Sequence, residues 1–452
     1  MYVLNDVRRD SRVIREARTL VAAGHAVTIL GRAGREEVEA TASQDGFEVV
    51  RLPLPTSRPL WFTWLTRPWR LWRRAGRDLR AGPRRWPRAA LVGAVSFVTL
   101  PWTFARWAWL RATGERSDGR LDYIGRWRLS LLPWAKAAAA AAPAAEVHHA
   151  HDLDTLAAAM MAARRDGARL IYDAHEVYLA WGANVRQPRI VRWVMARWER
   201  RLAGAATALV TVNDACAAEL DRRIGPLPIV VVHNCPPRWT PPGDAGEPSG
   251  PLRAAVGLDG GVAVVLCHGG FQADRGLEQT AEAMTRSALR DAHLVLLGYT
   301  VHAANPIAER IAADPRLGGR VHLLPPVSPD ELLEWVAGAD VDVMVLQPVD
   351  LNHRLSTPNK LFESLAAGVP VVSSDFAVRR RIVLDDPDGP LGAVCDPTDP
   401  DAIAASIASI LDLDPDARRD LRRRCLRAAH ERWNWETEGA RLVELYRSFG
   451  GV

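Results

Sequence analysis

Ser356-Thr357-Pro358-Asn359-Lys360-Leu361-Phe362-Glu363 runs on into Ser364-Leu365-Ala366-Ala367-Gly368-Val369-Pro370-Val371-Val372, which reads as a loop, a short helix and a tight turn into an apolar strand. Pro358 suits the first helical position, and Gly368-Val369-Pro370 turns the chain into the strand. The free backbone N–H groups of Ser356 to Asn359 point at whatever sits above the helix, and a phosphate is the natural ligand there. Lys360 places a positive charge in the first turn, where it opposes the helix dipole and calls for an external anion. Glu363, one turn on, can accept hydrogen bonds from a pair of sugar hydroxyls. The bland alternative is an amphipathic helix with a solvated lysine and glutamate. Against it stands the scarcity of lysine, since Lys136 and Lys360 are the only two among 58 basic residues.

Outward from this stretch the chain alternates strand and helix. Strands are expected at Val262 to Cys267, His293 to Leu297, Val321 to Leu323, Val341 to Leu346 and Val369 to Ser373, with helices between them and three more at the end. The first half has the same rhythm, with strands at Tyr2 to Leu4, Ala26 to Leu30, Phe47 to Leu52, Glu146 to His149, Arg169 to Asp173, Ala208 to Val212 and Ile229 to Val232. Near-continuous apolar strands alternating with helices imply parallel sheets covered on both faces. At 452 residues the chain exceeds one hydrophobic core. The expected fold is α/β, two Rossmann-like doubly wound domains facing a cleft. The boundaries are a first domain over 1–235, a Pro/Gly-rich linker over 236–251, a second domain over 252–425, and C-terminal helices over 426–452 packing back on the first domain. Ligands of such sheets bind at the carboxyl ends of the strands. No G-x-G-x-x-G follows a strand and no G-x-x-x-x-G-K-[ST] is present, so dinucleotide-binding and P-loop readings fall away.

The run Pro358-Asn359-Lys360-Leu361-Phe362-Glu363 with Ala367-Gly368-Val369-Pro370-Val371-Val372 resembles the donor-nucleotide signature of GT-B glycosyltransferases, in particular retaining family 4, the glycosyl transferases group 1. Gly24-His25-Ala26-Val27-Thr28, His149-Ala150-His151-Asp152, Tyr172-Asp173-Ala174-His175-Glu176 and Gly269-Gly270-Phe271 with Arg275-Gly276-Leu277 resemble further family segments in the same order. The resemblance implies that Arg275 and Lys360 bind the donor diphosphate and Glu363 the nucleotide ribose. Gly270, Gly298, Ser356, Thr357 and Asn359 complete the donor set, and His151 is the pocket histidine at the transferring sugar. Fixed cations stabilise the charge gained by a departing diphosphate, so neither cofactor nor metal is expected. Asp340-Val341-Asp342 and Asp412-Leu413-Asp414 look like D-x-D, but the first enters a buried strand and the second ends a helix.

Many family members carry a paired-glutamate motif whose first glutamate corresponds to Leu355 here, a departure that leaves the donor sugar open. Asp350, Asn352 and His353 are nearby in sequence. His175 is a second pocket candidate, although lone histidines are more often structural. In the first loop, Asp10 and Arg12 could touch acceptor or phosphate, or cap the helix and stay solvated; the cap is favoured. Metal ligation by His148, His149 and His151 is a poor fit because successive strand residues face opposite ways.

Between Arg58 and Lys136 lie 17 basic and 4 acidic residues, against 41 basic and 49 acidic in the rest of the chain, so the basic character belongs to one segment. Ten of the 17 tryptophans fall between Trp61 and Trp134. Trp61, Trp64, Trp72, Trp102 and Trp107, interleaved with arginine, suggest a helical insertion at an anionic membrane surface. The uncharged run Ala89 to Ala105 is shorter than a bilayer span of roughly 20 residues. Core packing on the first domain is the alternative, and no nucleic-acid module accompanies the segment. Five scattered cysteines and the absence of a signal-like N-terminus fit a cytoplasmic protein on the inner membrane face. The function expected is transfer of a sugar from a nucleotide diphosphate donor to a lipid-linked or glycan acceptor. A nucleotide-sugar 2-epimerase or a non-catalytic scaffold of this fold are the alternatives.

Overall fold

The computed structural model describes residues 1–8, 10–33, 41–54, 127–299 and 307–450. Trp61, Trp64, Trp72, Trp102 and Trp107 lie outside the described residues. The strands are β1 Thr28–Arg32, β2 Thr41–Gln44, β3 Phe47–Leu52, β4 Val147–His151, β5 Arg169–Ala174, β6 Ala208–Thr211, β7 Ile229–Val231, β8 Val264–Gly270, β9 His293–Tyr299, β10 Val321–Leu324, β11 Val341–Met344, β12 Val371–Ser374 and β13 Gly392–Cys395. The helices used below are α1 Ser11–Ala22, α2 Leu153–Asp166, α3 Arg189–Ala203, α4 Leu351–Leu355, α5 Asn359–Ala366, α6 Ala377–Leu384 and α7 Trp435–Arg447.

The chain divides into two compact units. One comprises Met1–Arg8, Val27–Tyr172 and Gly182–Ala206; the other comprises Arg9–Ala26, Asp173–Trp181 and Thr207–Val452. In the first, β1 pairs in parallel with β3, and β2 returns antiparallel along β3. Tyr2 forms single parallel bridges to Leu30 of β1 and Ala150 of β4 instead of a strand. The short β2 was not anticipated, because its polar Thr41-Ala42-Ser43-Gln44 lacks an apolar alternation. At the described end of the Trp/Arg segment, Trp134 is fully buried, and Trp127 meets Trp198 of α3 edge-on at 4.9 Å.

The second unit holds the parallel pair β6–β7 and a six-stranded sheet in the order β10-β9-β8-β11-β12-β13. Counted from β8, this is the 3-2-1-4-5-6 order of a doubly wound sheet, with its topological switch point at the carboxyl ends of β8 and β11. The two-sided burial read from the strands is present. Val265, Cys267, Leu294 and Leu296 enter one core, and Val264, Leu266, Val295 and Leu297 enter the other. The edge strand β13 was missed by the sequence reading; it is short and mostly half-exposed. Gly392 lets it pair, since a Cβ there would stand 2.0 Å from the Val371 carbonyl oxygen. α7 packs against α1, with Trp435 Nε1–H donating to Thr19 Oγ1 at 2.8 Å.

Candidate functional site

The switch point of the six-stranded sheet is where the second unit's motif residues meet. Gly269 and Gly298 end β8 and β9 side by side, and a Cβ on Gly298 would stand 1.9 Å from the Gly269 carbonyl oxygen. Gly269 has φ +93, and a Cβ there would come within 2.9 Å of Lys360 Cε. The strand end is thus kept bare so that the lysine can lie across it. Beyond Gly270 the space in the Cβ direction is open. Arg275 follows in a 3-10 turn, and Gly276 (φ +77) closes it against Val345.

Lys360 sits in the first turn of α5, behind Pro358 as N-cap residue. Burial lowers its pKa; Asp342 pulls the other way, and the charge of Arg275 adds to the lowering. Among the described residues neither Lys360 nor Arg275 forms an ion pair, although Glu363 lies one turn from Lys360 on the same helix. A third cation, Arg379 of α6, is fully buried. It donates to the carbonyl oxygens of Ser356 (3.1 Å) and His353 (2.7 Å) and to Ser356 Oγ (3.1 Å). Among the described residues no carboxylate pairs with it and its NH1 has no hydrogen-bond partner; burial, then Arg275, pushes its pKa down to about 9. Three cations and a helix start therefore converge with no ion pair to any of the three among the described residues, an arrangement suited to holding a polyanion.

Neutral and acidic groups fix the surrounding loops. Asn213 Nδ2 donates to the Leu355 carbonyl oxygen at 2.9 Å and to Thr357 Oγ1 at 3.2 Å. Asn234 donates to Asn359 Oδ1 at 2.7 Å and accepts from Arg15 of α1. His353 stands between Asp350 and Asp274, each 2.7 Å from a ring nitrogen. Burial would lower the His353 pKa, but the hydrogen bonds to Asp274 and Asp350 raise it. The His353 ring thereby ties α4 to the turn that carries Arg275. Leu355, half-buried, ends α4.

His268, on β8, was not singled out from sequence. Its Nε2 is 3.1 Å from Glu363 Oε2 and its Nδ1 3.1 Å from Asp342 Oδ2. Burial works against the charged ring, but Asp342 and then Glu363 raise its pKa to about 9. Of the D-x-D pair, Asp340 Oδ2 accepts from Arg253 (2.6 Å) and the Val264 N–H (2.7 Å), whereas Asp342 faces His268 and Ser364. A buried aspartate needs partners, and that need was the available signal for His268.

Elsewhere in the second unit, Asp10 caps α1 by accepting from the Val13 N–H at 3.2 Å. Arg12 is not solvated. It is buried, 3.1 Å from both Asp173 oxygens and 2.9 Å from Glu16, and donates to the Val232 carbonyl oxygen at 2.8 Å. His175 Nε2 lies 3.5 Å from Asp173. In the first unit, β4 runs through to His151, which is buried and stacks on His149 with ring centroids 4.6 Å apart. His148 faces the other way, bonding the Tyr2 hydroxyl at 2.8 Å and Asp166 at 2.9 Å. Three residues of this unit hold positive φ without being glycine: Val7 (φ 71), Asp45 (φ 49) in the turn between β2 and β3, and Asp152 (φ 63) after β4. Such strain costs on the order of 1–3 kcal/mol and concentrates at functional sites.

Residues 262–413 match the model of the glycosyl transferases group 1, and residues 110–235 match that of glycosyltransferase family 4; between them they take in more than half of the chain. The chain is 28% identical over 348 residues to the D-inositol 3-phosphate glycosyltransferase of Xylanimonas cellulosilytica, covering 75% of this chain and 74% of that one. It is 27% identical over 312 residues to the GDP-mannose-dependent alpha-(1-6)-phosphatidylinositol monomannoside mannosyltransferase of Mycolicibacterium smegmatis, covering 65% and 76%. Its fold matches the sucrose-phosphate synthase of Thermosynechococcus elongatus with TM-score 0.65 at 17% identity, covering 97% and 92%. The resemblance carried by the Pro-Asn-Lys…Glu run is borne out, and the chain belongs to family 4 of the glycosyl transferases, group 1, built on the GT-B fold.

Proposed function

We propose that this glycosyltransferase is a retaining, metal-independent enzyme that moves a sugar from a nucleoside diphosphate donor onto a lipid-linked or glycan acceptor at an anionic membrane surface. The observation that carries the donor reading is the pair Lys360 and Arg275, cations without an ion pair at the switch point of the six-stranded sheet. A bound diphosphate supplies the missing charge. As the bond from the anomeric carbon to the diphosphate breaks, the acceptor oxygen bonds that carbon on the same face, and the acceptor's proton leaves with the diphosphate. Lys360, Arg275 and the N–H groups of Ser356 to Asn359 stabilise the leaving group, which removes the need for a metal. In this reading Glu363 takes the ribose, and Gly270 and Gly298 leave room for the donor. His151 contacts the transferring sugar, and Asp10 and His175 border the acceptor side, while Arg12 is held by Asp173 and Glu16 as part of the framework.

Retention follows from the family resemblance. The acceptor class is supported by the relative named for a phosphatidylinositol monomannoside, a lipid-linked glycan. Membrane contact is supported by the basic Trp segment and by α3 in the first unit. There Ile190 (65% exposed), Trp193 (60%) and Val194 (50%) form a bare apolar stripe, flanked by the exposed Arg189, Arg192 and Arg197. No described helix is long and apolar enough to cross a membrane, and a cytoplasmic, peripheral location is part of the proposal.

Thermal stabilisation by a panel of nucleoside diphosphates tests the donor site. Stabilisation by one base, undiminished by excess chelator, is expected; loss with chelator and recovery with a divalent ion overturns metal independence. Flotation with phosphatidylglycerol vesicles tests the membrane arm. Binding that falls with salt and with Trp193→Ser is expected, and wild-type protein that stays off the vesicles at low salt sinks it.

A further inference from the structure

β8 is buried on both faces, and Val264, Val265, Leu266 and Cys267 are the apolar residues such a strand requires. His268 breaks the run at 1% exposure. A polar ring there is tolerated only if it finds partners: Nε2 hydrogen-bonds Glu363 Oε2, and Nδ1 lies 3.1 Å from Asp342 Oδ2, an ion-pair distance without hydrogen-bond alignment. Asp342 on the neighbouring strand β11 is fully buried and also accepts the Ser364 hydroxyl at 2.6 Å. Ser364 follows Glu363 on α5, so the groups form one chain: Ser364, Asp342, His268, Glu363. Only Glu363 reaches solvent, at 19% exposure. Its Oε2 is held by His268, and among the described residues no hydrogen bond or ion pair engages Oε1.

The helix sets up a competition. Residues three apart on a helix are neighbours, and a Lys–Glu pair at that spacing forms readily. Lys360 and Glu363 have this spacing and do not pair. His268 takes up Glu363 Oε2, while the Lys360 side chain lies against Gly269. We infer that His268 is a positioning residue of the donor site, holding Glu363 away from Lys360 so that the carboxylate stays aimed at ribose hydroxyls and the ammonium stays open to the diphosphate. This rests on the proposed role of Glu363, and the assay separates the two.

The assay is binding of UDP and GDP, each compared with its 2′,3′-dideoxy counterpart, to wild type, His268→Leu and His268→Gln. Wild type is expected to prefer the ribonucleotide by about tenfold or more, the scale of hydrogen bonds to a charged group. His268→Leu should lose most of this preference, and His268→Gln, which can still donate to Glu363, should keep part of it. If wild type does not discriminate, the ribose role of Glu363 fails. If wild type discriminates and folded His268→Leu discriminates equally, or loses affinity for both nucleotides in the same proportion, the positioning role fails. Should His268→Leu not fold, His268→Gln decides: a preference reduced by about threefold or more supports the inference, and an unchanged one overturns it.

Discussion

Arg12 and the trio Lys360, Arg275 and Arg379 are cations of the same unit held in opposite ways. Around Arg12 the fold supplies the anions: Asp173 on both oxygens, Glu16, and the Val232 carbonyl. Burial works against its charge, yet Asp173 and then Glu16 raise its pKa. At the switch point no carboxylate among the described residues pairs with any of the trio, and burial lowers both Lys360 and Arg379 with Arg275 adding to it. A balanced buried cation reads as architecture. An unbalanced cluster costs stability in the free protein and reads as a site awaiting an anion.

The contrast can be broken from either side. The largest effect is expected at Arg12, because Arg12→Ala strands Asp173 and Glu16 in the interior; stability in urea should fall by about 3–5 kcal/mol. A loss below about 1 kcal/mol, within the ordinary surface range, would remove the architectural reading. Lys360→Ala should behave inversely. Nucleotide affinity should drop by ~1.5–3 kcal/mol, as for a lost charge-assisted hydrogen bond, while ligand-free stability holds or rises. Calorimetry with the nucleotide that gives the largest thermal shift measures the first, and urea unfolding the second. Equal affinity in the variant would dissolve the comparison.

A smaller effect sharpens it through pH. Asp342, Glu363, Lys360 and Cys267 are the titratable groups around His268. The folded-state pKa of His268 is raised to about 9, so its contribution is fully present below the unfolded value of ~6.5 and is lost as pH rises through about 9. Wild type should therefore lose up to about 2 kcal/mol more than His268→Gln between pH 7.5 and 9.5, read as the difference between two urea series. Parallel series would mean that the ring is neutral in the fold.

The donor helix was legible because its chemistry is local. Lys360 and Glu363 share a helix face by spacing alone, and the helix start and the Gly-Val-Pro turn are written in consecutive residues. Two-sided strand burial was legible for the same reason, since period-two and continuous apolar runs are properties of the chain itself. The short polar β2 and the edge strand β13 were not, because pairing with a neighbour, rather than their own composition, makes them strands.

What the sequence by itself determined is the family, the doubly wound α/β architecture and the motif positions around Lys360. Tertiary structure alone decided which groups share a charge environment. His268 meets Asp342 because β8 and β11 are neighbours across the switch point, although 74 residues separate them in the chain. Arg379 holds the loop before Lys360 from a helix beyond β12. Arg12, which the sequence presents as an exposed helix-start residue, is buried because Asp173 and Val232 are folded against α1. Coulomb energies depend on distance through space and on local burial, and the order of residues along the chain specifies neither.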